Sequence, residues 1–197
     1  MKIYDISQEI FSCEVYPDDP KPIKETLRSI ENGDLYNLTA FSMCAHNGTH
    51  IDSPYHFIEN GKTVEQIPLD KTVGLCYVME FNGALSANDA KEIHKKAFDI
   101  NPESAKRILL KGNATVISES ARVFAQLGIE LIGNESQTVG PEDAPMEVHK
   151  ILLEKEVVLL EGIRLGEVPE GVYLLNATPL LLSGADGAPC RAILIEM

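Results

Sequence analysis

At 197 residues the chain can bury one substantial core, and its length alone asks for a single domain spanning 1–197 rather than several. Its 17 basic and 30 acidic residues leave a formal net charge of -13, which opposes docking on phosphate backbones or anionic lipid and excludes both as first partners. A hydrophobic fraction of 44% with 24% charged residues is that of an ordinary globular chain, not a disordered one.

The N-terminal "MKIYDISQEIF" alternates polar and apolar residues and lacks the roughly 7–15-residue apolar core of a secretory signal. Its alternation predicts a strand over "KIYDISQEI". "YPDDPKP" carries three prolines among charges and reads as a loop. "LYNLTAFSMCAH" is a second predicted strand, running straight into "CAHNGTHIDSPYHF". "ENGKTVEQIPLDKTVG" reads as turns and short irregular structure, and "LCYVMEF" as an apolar strand.

Beyond it the chain changes character. "SANDAKEIHKKAF" has a serine start and helical spacing; "AKRILLK" follows, then "SESARVFAQLG", a helix closed by Gly128. "IELIG" predicts a strand, "APMEVHKILLEK" a helix of about three turns, and "VVLLEG" a short buried strand ending in Glu161. Two or three further strands surround the Gly-rich "SGADGAP", which reads as a turn between strands. Alternating helices and strands with no linker or repeat predict a mixed α/β domain. The longest apolar runs, such as "VVLL", fall far short of the ~18 residues needed to span a bilayer. Cys13, Cys44, Cys76 and Cys190 are scattered without a CxxC pair, as expected of reduced thiols in a cytoplasm.

Three of the five histidines fall within eleven positions, as His46, His50 and His56, with Asp52 between the last two. Asn47-Gly48 is a turn dipeptide, Pro54 disfavours helix before it, and Thr49 and Ile51 are β-branched, so the segment is expected to be an extended loop. It is not the helical H-E-x-x-H zinc signature, because position 47 is asparagine. Two imidazoles and a carboxylate so close suit a borderline divalent metal such as zinc, and a carboxylate can bridge two ions. Gly48 permits close backbone approach, and Thr49 is placed to orient a ligand by a hydrogen bond. The bland alternative is three unrelated surface or core histidines.

The remaining histidines differ from each other. His94, in "KEIHKKAF", sits among lysines on a solvated helix and reads as surface. His149 has Leu152 and Leu153 at i+3 and i+4 and therefore points inward, either as a hydrogen-bonded core residue or as a ligand. Glu161 closes an apolar strand, where a carboxylate is costly unless paired or metal-bound. Cys44 has no activating context and reads as packing, and Ser53 lacks a nucleophile elbow.

"HNGTHIDSPYHF" resembles the H-x-G-T-H-x-D-x-P-x-H signature of the cyclase-like metal-dependent hydrolase family, which includes bacterial kynurenine formamidases. "VYPDDP", "HKILLEKEVVLLEGI" and "ATPLLLSGADGAPCRAI" are similar to further family segments in the same order. The resemblance implies a swivelling β/β/α fold and metal ligands at His46, His50 and Asp52. It implies a second metal position completed by His149 and Glu161, and a catalytic acid/base at His56. Zinc leads among the metals, as one or two ions, with manganese or iron compatible. The resemblance further implies a homodimer or higher homo-oligomer. The implied reaction is hydrolysis of a small amide, formamide or lactam by metal-bound hydroxide, arylformamidase-like. Alternatives are cyclic-amide hydrolysis or cyclisation on the same centre, and a non-catalytic metal- or ligand-binding protein. The chain departs from the pattern at Asp18, where glycine is usual, near Asn134, where many members carry aspartate, and in having no tryptophan.

Overall fold

The computed structural model describes residues 1–197. The first half of the chain contains β1 (Ile3–Asp5), β2 (Ile23–Arg28), β3 (Leu38–Ser42), β4 (His50–Asp52), α1 (Leu69–Thr72), β5 (Val73–Glu80), β6 (Gly83–Leu85) and α2 (Ala87–Ile100). The second half contains β7 (Arg107–Lys111), β8 (Ala114–Val116), α3 (Ser118–Leu127), β9 (Leu131–Asn134), α4 (Met146–Leu153), β10 (Val158–Glu161), β11 (Gly171–Asn176), β12 (Gly187–Pro189) and β13 (Ile193–Ile195).

Nine strands form one mixed sheet in the order β1-β13-β11-β5-β7-β9-β10-β4-β12. Its centre, β5-β7-β9-β10, is parallel because α2, α3 and α4 carry the chain back between successive strands. The flanking pairings are antiparallel. This is the expected mixed α/β architecture. The parallel strands read as near-continuous apolar runs because both faces are covered. Ile108, Leu110, Ile132 and Leu159 meet the helices on one face, packing against Phe124, Val148 and Leu152. Leu109, Leu131, Val158 and Leu160 face the other way, where Ile6, Val64, Ile67, Ala188 and Leu194 join them. Residues from the β1 end and from the β12 end of the sheet thus share one cluster, so the sheet curls.

Local sequence explains most boundaries. Ser86 accepts from the Asp89 backbone N–H while Asp89 accepts from the Ser86 N–H, a reciprocal cap that starts α2. Gly128 closes α3 at φ 72°.

Several expectations need correction. The strand expected over 2–10 is only Ile3–Asp5, because Ile6 and Ser7 turn to bond Ala192 and the Gln8 N–H donates to Thr49 Oγ1. The three-turn helix over 144–155 is Met146–Leu153; past it Glu156 takes φ 56° and Val157 returns to bond Leu152. Residues 107–111 of "AKRILLK" are a central strand. Strand β2 was not foreseen; it pairs with β3 in a two-stranded arm whose residues are nearly all exposed, so no buried face imposes alternation.

One close approach locks the turn before β4 to the end of β10. Gly162 sits at φ 67°, and a Cβ there would collide with the Gly48 carbonyl oxygen. We therefore expect Gly162→Ala to cost at least about 2 kcal/mol. Urea unfolding would measure it as a lowered midpoint with an unchanged slope.

Candidate metal centre

Strand β4 lies between β10 and β12, antiparallel to both. His50 and Asp52 are two residues apart and so share a face, and the register sets Glu161 opposite His50. The segment expected as an extended loop is therefore partly a ladder strand, followed by a 3-10 turn over Pro54–His56. Helix α4 lowers His149 onto the same face. Four of these groups are almost sealed: Asp52 is 0% exposed, His50 1%, His149 3% and Glu161 3%.

The distances describe two overlapping groups that meet at Asp52, and a third, more exposed group of His46, His56 and Asp186 that shares His46. His46 Nδ1 is 2.8 Å and His50 Nε2 3.4 Å from Asp52 Oδ1. On the other side, His149 Nε2 is 3.5 Å from Asp52 Oδ2 and 3.2 Å from Glu161 Oε1. His50 Nε2 also lies 3.4 Å from Glu161 Oε2, closing the ring. The donor atoms within His46, His50 and Asp52, and within Asp52, His149 and Glu161, all fall inside 4.8 Å of one another. Both sets can hold a divalent cation.

Tautomers support that chemistry. His50 Nδ1–H donates to the Gly48 carbonyl at 3.0 Å, and His149 Nδ1–H donates to the Pro145 carbonyl at 2.9 Å. Each ring thereby turns its Nε2 toward the carboxylates, the atom that is free to ligate once its proton leaves. Asp52 Oδ2 is buried without a hydrogen-bond partner, a costly state that a cation would relieve. The donor set and this orphaned oxygen fit a metal.

Exposure rises toward one side, from the buried groups to the side chains of His46 at 13% and His56 at 26%. His56 Nε2 stands 4.0 Å from Asp52 Oδ2, outside hydrogen-bond range, at the solvent edge of the cluster. Phe57 packs edge-on to the His56 ring at 4.5 Å and against His149 at 4.9 Å.

A family model described as putative cyclase matches residues 4–160 of this chain. This chain belongs to the putative cyclase family. A kynurenine formamidase of Erythrobacter litoralis is 30% identical over 210 aligned residues, covering 100% of this chain and 94% of that protein. A kynurenine formamidase of Salinibacter ruber is 31% identical, covering 98% and 97%. A solved structure described as a potential metal-dependent hydrolase with cyclase activity superposes with a TM-score of 0.81 at 30% identity, covering 98% and 96%.

The six residues that the sequence offers as ligands or acid/base, His46, His50, Asp52, His56, His149 and Glu161, converge. His94 does not; it lies half-buried on α2, stacked on Phe98. Thr49 does not orient a ligand: its hydroxyl donates to the Gly162 carbonyl, and Gly48 supplies the orienting oxygen instead. Cys44 is unpaired, and its Sγ lies 3.8 Å from Asp19 Oδ2. Asp18 takes φ 73°, a left-handed conformation that glycine adopts more easily. Asn134 stands apart from the cluster, donating from Nδ2 to the Thr138 and Ala114 carbonyls, which an aspartate could not do. Sequence reasoning missed Asp186, inside "SGADGAP", whose Oδ2 is 2.9 Å from His46 Nε2 and 3.1 Å from His56 Nδ1. A lone Asp between small residues reads as a turn, and only its neighbour Gly187 hinted at a close approach.

Burial disfavours the cationic forms of His46, His50 and His149, yet hydrogen bonds and charges from Asp52, Glu161 and Asp186 outweigh it and raise all three to about 10. Burial likewise opposes ionisation of Asp52 and Glu161, but the histidines hold both carboxyls below their usual range. In the metal-free protein, each raised histidine stabilises the fold fully below the ordinary imidazole value of about 6.5 and loses that contribution as pH climbs toward 10. The thermal midpoint of metal-stripped protein should fall across that window in a pH series. Metal uptake must displace these protons, so binding should acidify a weakly buffered solution and weaken toward low pH.

Proposed function

We propose that this protein is a metal-dependent hydrolase of a small amide, formamide or lactam, arylformamidase-like, with residues 1–197 acting as one catalytic domain. The observation that carries the reading is Asp52: sealed from solvent, with each oxygen aimed at a different histidine group and one oxygen lacking any hydrogen bond. The kynurenine formamidase relatives, matched over nearly their whole length, support formamide hydrolysis of the N-formylkynurenine type.

In this reading His46, His50 and Asp52 would hold one ion, and Asp52, His149 and Glu161 a second. Zinc suits the mixed nitrogen and carboxylate donors best, and manganese or iron also fit them. When bound, such a cation polarises a carbonyl oxygen and acidifies water. The chain's own residues do the rest. His56 Nε2 takes a proton from the attacking water and returns it to the departing nitrogen, while its Nδ1–H stays on Asp186. The substrate enters past His56, where the cluster meets solvent, and Phe57 packs edge-on against that ring.

Hydrolysis of a cyclic amide, or cyclisation, on the same centre is a second reading, the latter in keeping with the cyclase activity attributed to the structural relative. A purely metal-holding role would recruit His56 into a third possible group with His46 and Asp186, whereas the kynurenine formamidase relatives favour the hydrolase. The proposed setting is cytoplasmic, in keeping with four free thiols. No helix is long and apolar enough to cross a membrane.

We also propose a homodimer or higher homo-oligomer. The arm of β2 and β3 exposes Ile23, Leu27, Leu35, Tyr36 and Phe41, and a two-stranded hairpin is marginal alone. At its base a cavity of about 620 Å³ is lined by Phe11, Phe41, Met43 and Leu180.

Metal-reloaded protein should hydrolyse N-formylkynurenine or a member of a small panel of amides and lactams, whereas chelated protein should not. Inactivity across that panel would sink the hydrolase reading. His56→Ala should lower kcat by roughly 10²- to 10⁴-fold with metal content unchanged; loss of metal would make His56 a ligand. Light scattering should give a mass of at least two chains, reduced by a double Leu27→Lys and Phe41→Lys substitution.

A further inference from the structure

Asp186 belongs to neither proposed ligand group, yet it contacts one member of the metal cluster and the proposed proton carrier. The same oxygen, Oδ2, lies 2.9 Å from His46 Nε2 and 3.1 Å from His56 Nδ1. The two rings stand face to face, centroids 4.1 Å apart and tilted by 32°. Neither ring can turn without breaking its bond to that oxygen.

The carboxylate is held by the sheet rather than by a free loop. The Asp186 carbonyl accepts the Ser53 backbone N–H at 3.0 Å and the Ser53 hydroxyl at 2.8 Å. The next residue, Gly187, is opposite Asp52 at the start of β12. A Cβ at Gly187 would stand 2.7 Å from His46 Cε1, so the backbone there is cut to the outline of the His46 ring. Asp186, Gly187, Ser53 and His46 therefore form one built corner of the site.

Hydrogen-bond arithmetic gives the corner a job. If His46 Nε2–H donates to Asp186, its Nδ1 presents a lone pair to the interior, beside Asp52 Oδ1. If His56 Nδ1–H donates to the same oxygen, its Nε2 keeps a lone pair facing Asp52 Oδ2. One carboxylate oxygen with two lone pairs can accept both protons and thereby select both tautomers. We propose that Asp186 is the positioning residue of this site, fixing His46 as a ligand and His56 as a proton carrier through one shared oxygen. This rests on the hydrolase reading for the part that concerns His56; the part that concerns His46 needs only that metal binds.

The test uses the full chain with Asp186→Asn and Asp186→Glu. An asparagine keeps one oxygen able to accept from both rings, but it is neutral, so both bonds lose their charge assistance, and its amide nitrogen cannot accept if it turns toward them; glutamate keeps the charge one methylene further out. Each variant is titrated with Co²⁺, following the visible ligand-field bands for stoichiometry and affinity, and assayed with an amide the wild type cleaves. Asp186→Asn should bind as many Co²⁺ ions as wild type at saturation, with altered bands and affinity about 10–100-fold weaker. Its kcat should fall at least about 10²-fold while KM shifts by less than about 3-fold. Asp186→Glu should recover part of both. Unchanged bands, affinity and kcat would overturn the proposal. So would loss of a whole Co²⁺ equivalent at saturation, which would make Asp186 a ligand, or a loss of activity matched only by a lower melting temperature. Should the wild type cleave nothing, the hydrolase reading fails, and the Co²⁺ affinity of Asp186→Asn still decides whether Asp186 orients His46.

Discussion

Two carboxylates, Asp52 and Glu161, are buried side by side in the curl of an apolar sheet, and everything around them answers that charge. Burial alone would force both to protonate, since an isolated ionised group in such surroundings costs far more than the fold can supply. Three imidazoles turned toward them supply positive charge in the metal-free protein. A divalent cation does the same with the protons removed. The site is therefore a single charge balance with two interchangeable solutions, and its proton content and metal content are linked.

The sheet makes that balance possible by register rather than by loops. Antiparallel pairing of β4 with β10 sets Glu161 against His50, and the two-residue period sets Asp52 on the same face. A one-residue slip would turn these side chains into the opposite core, among Ile51, Leu160 and Ile163. Gly162 and Gly187, where a Cβ would meet the Gly48 carbonyl or the His46 ring, leave such a slip no room.

What could be read from the sequence follows the same division. His46, His50, Asp52 and His56 were legible because they crowd one short stretch with a turn dipeptide and a proline. His149 and Glu161 were legible as anomalies, polar groups on apolar faces, and the family resemblance joined them to the first cluster. Asp186 was not, since its partners lie more than a hundred residues earlier and its neighbours are ordinary turn residues. Strand β2 escaped notice because nothing covers it within one chain, so burial wrote no pattern into it. The orienting role expected of Thr49 went to the Gly48 carbonyl, a backbone group whose direction no side-chain identity announces.

Strand β4 is made early and its two partners late. Both β10 and β12 follow β4 by more than a hundred residues. During synthesis the histidine-rich segment leaves the ribosome long before anything can pair with it, and such non-local pairing is slow to form. The centre thus cannot assemble until both distant partners of β4 have been made, and it forms only with those long-range pairings.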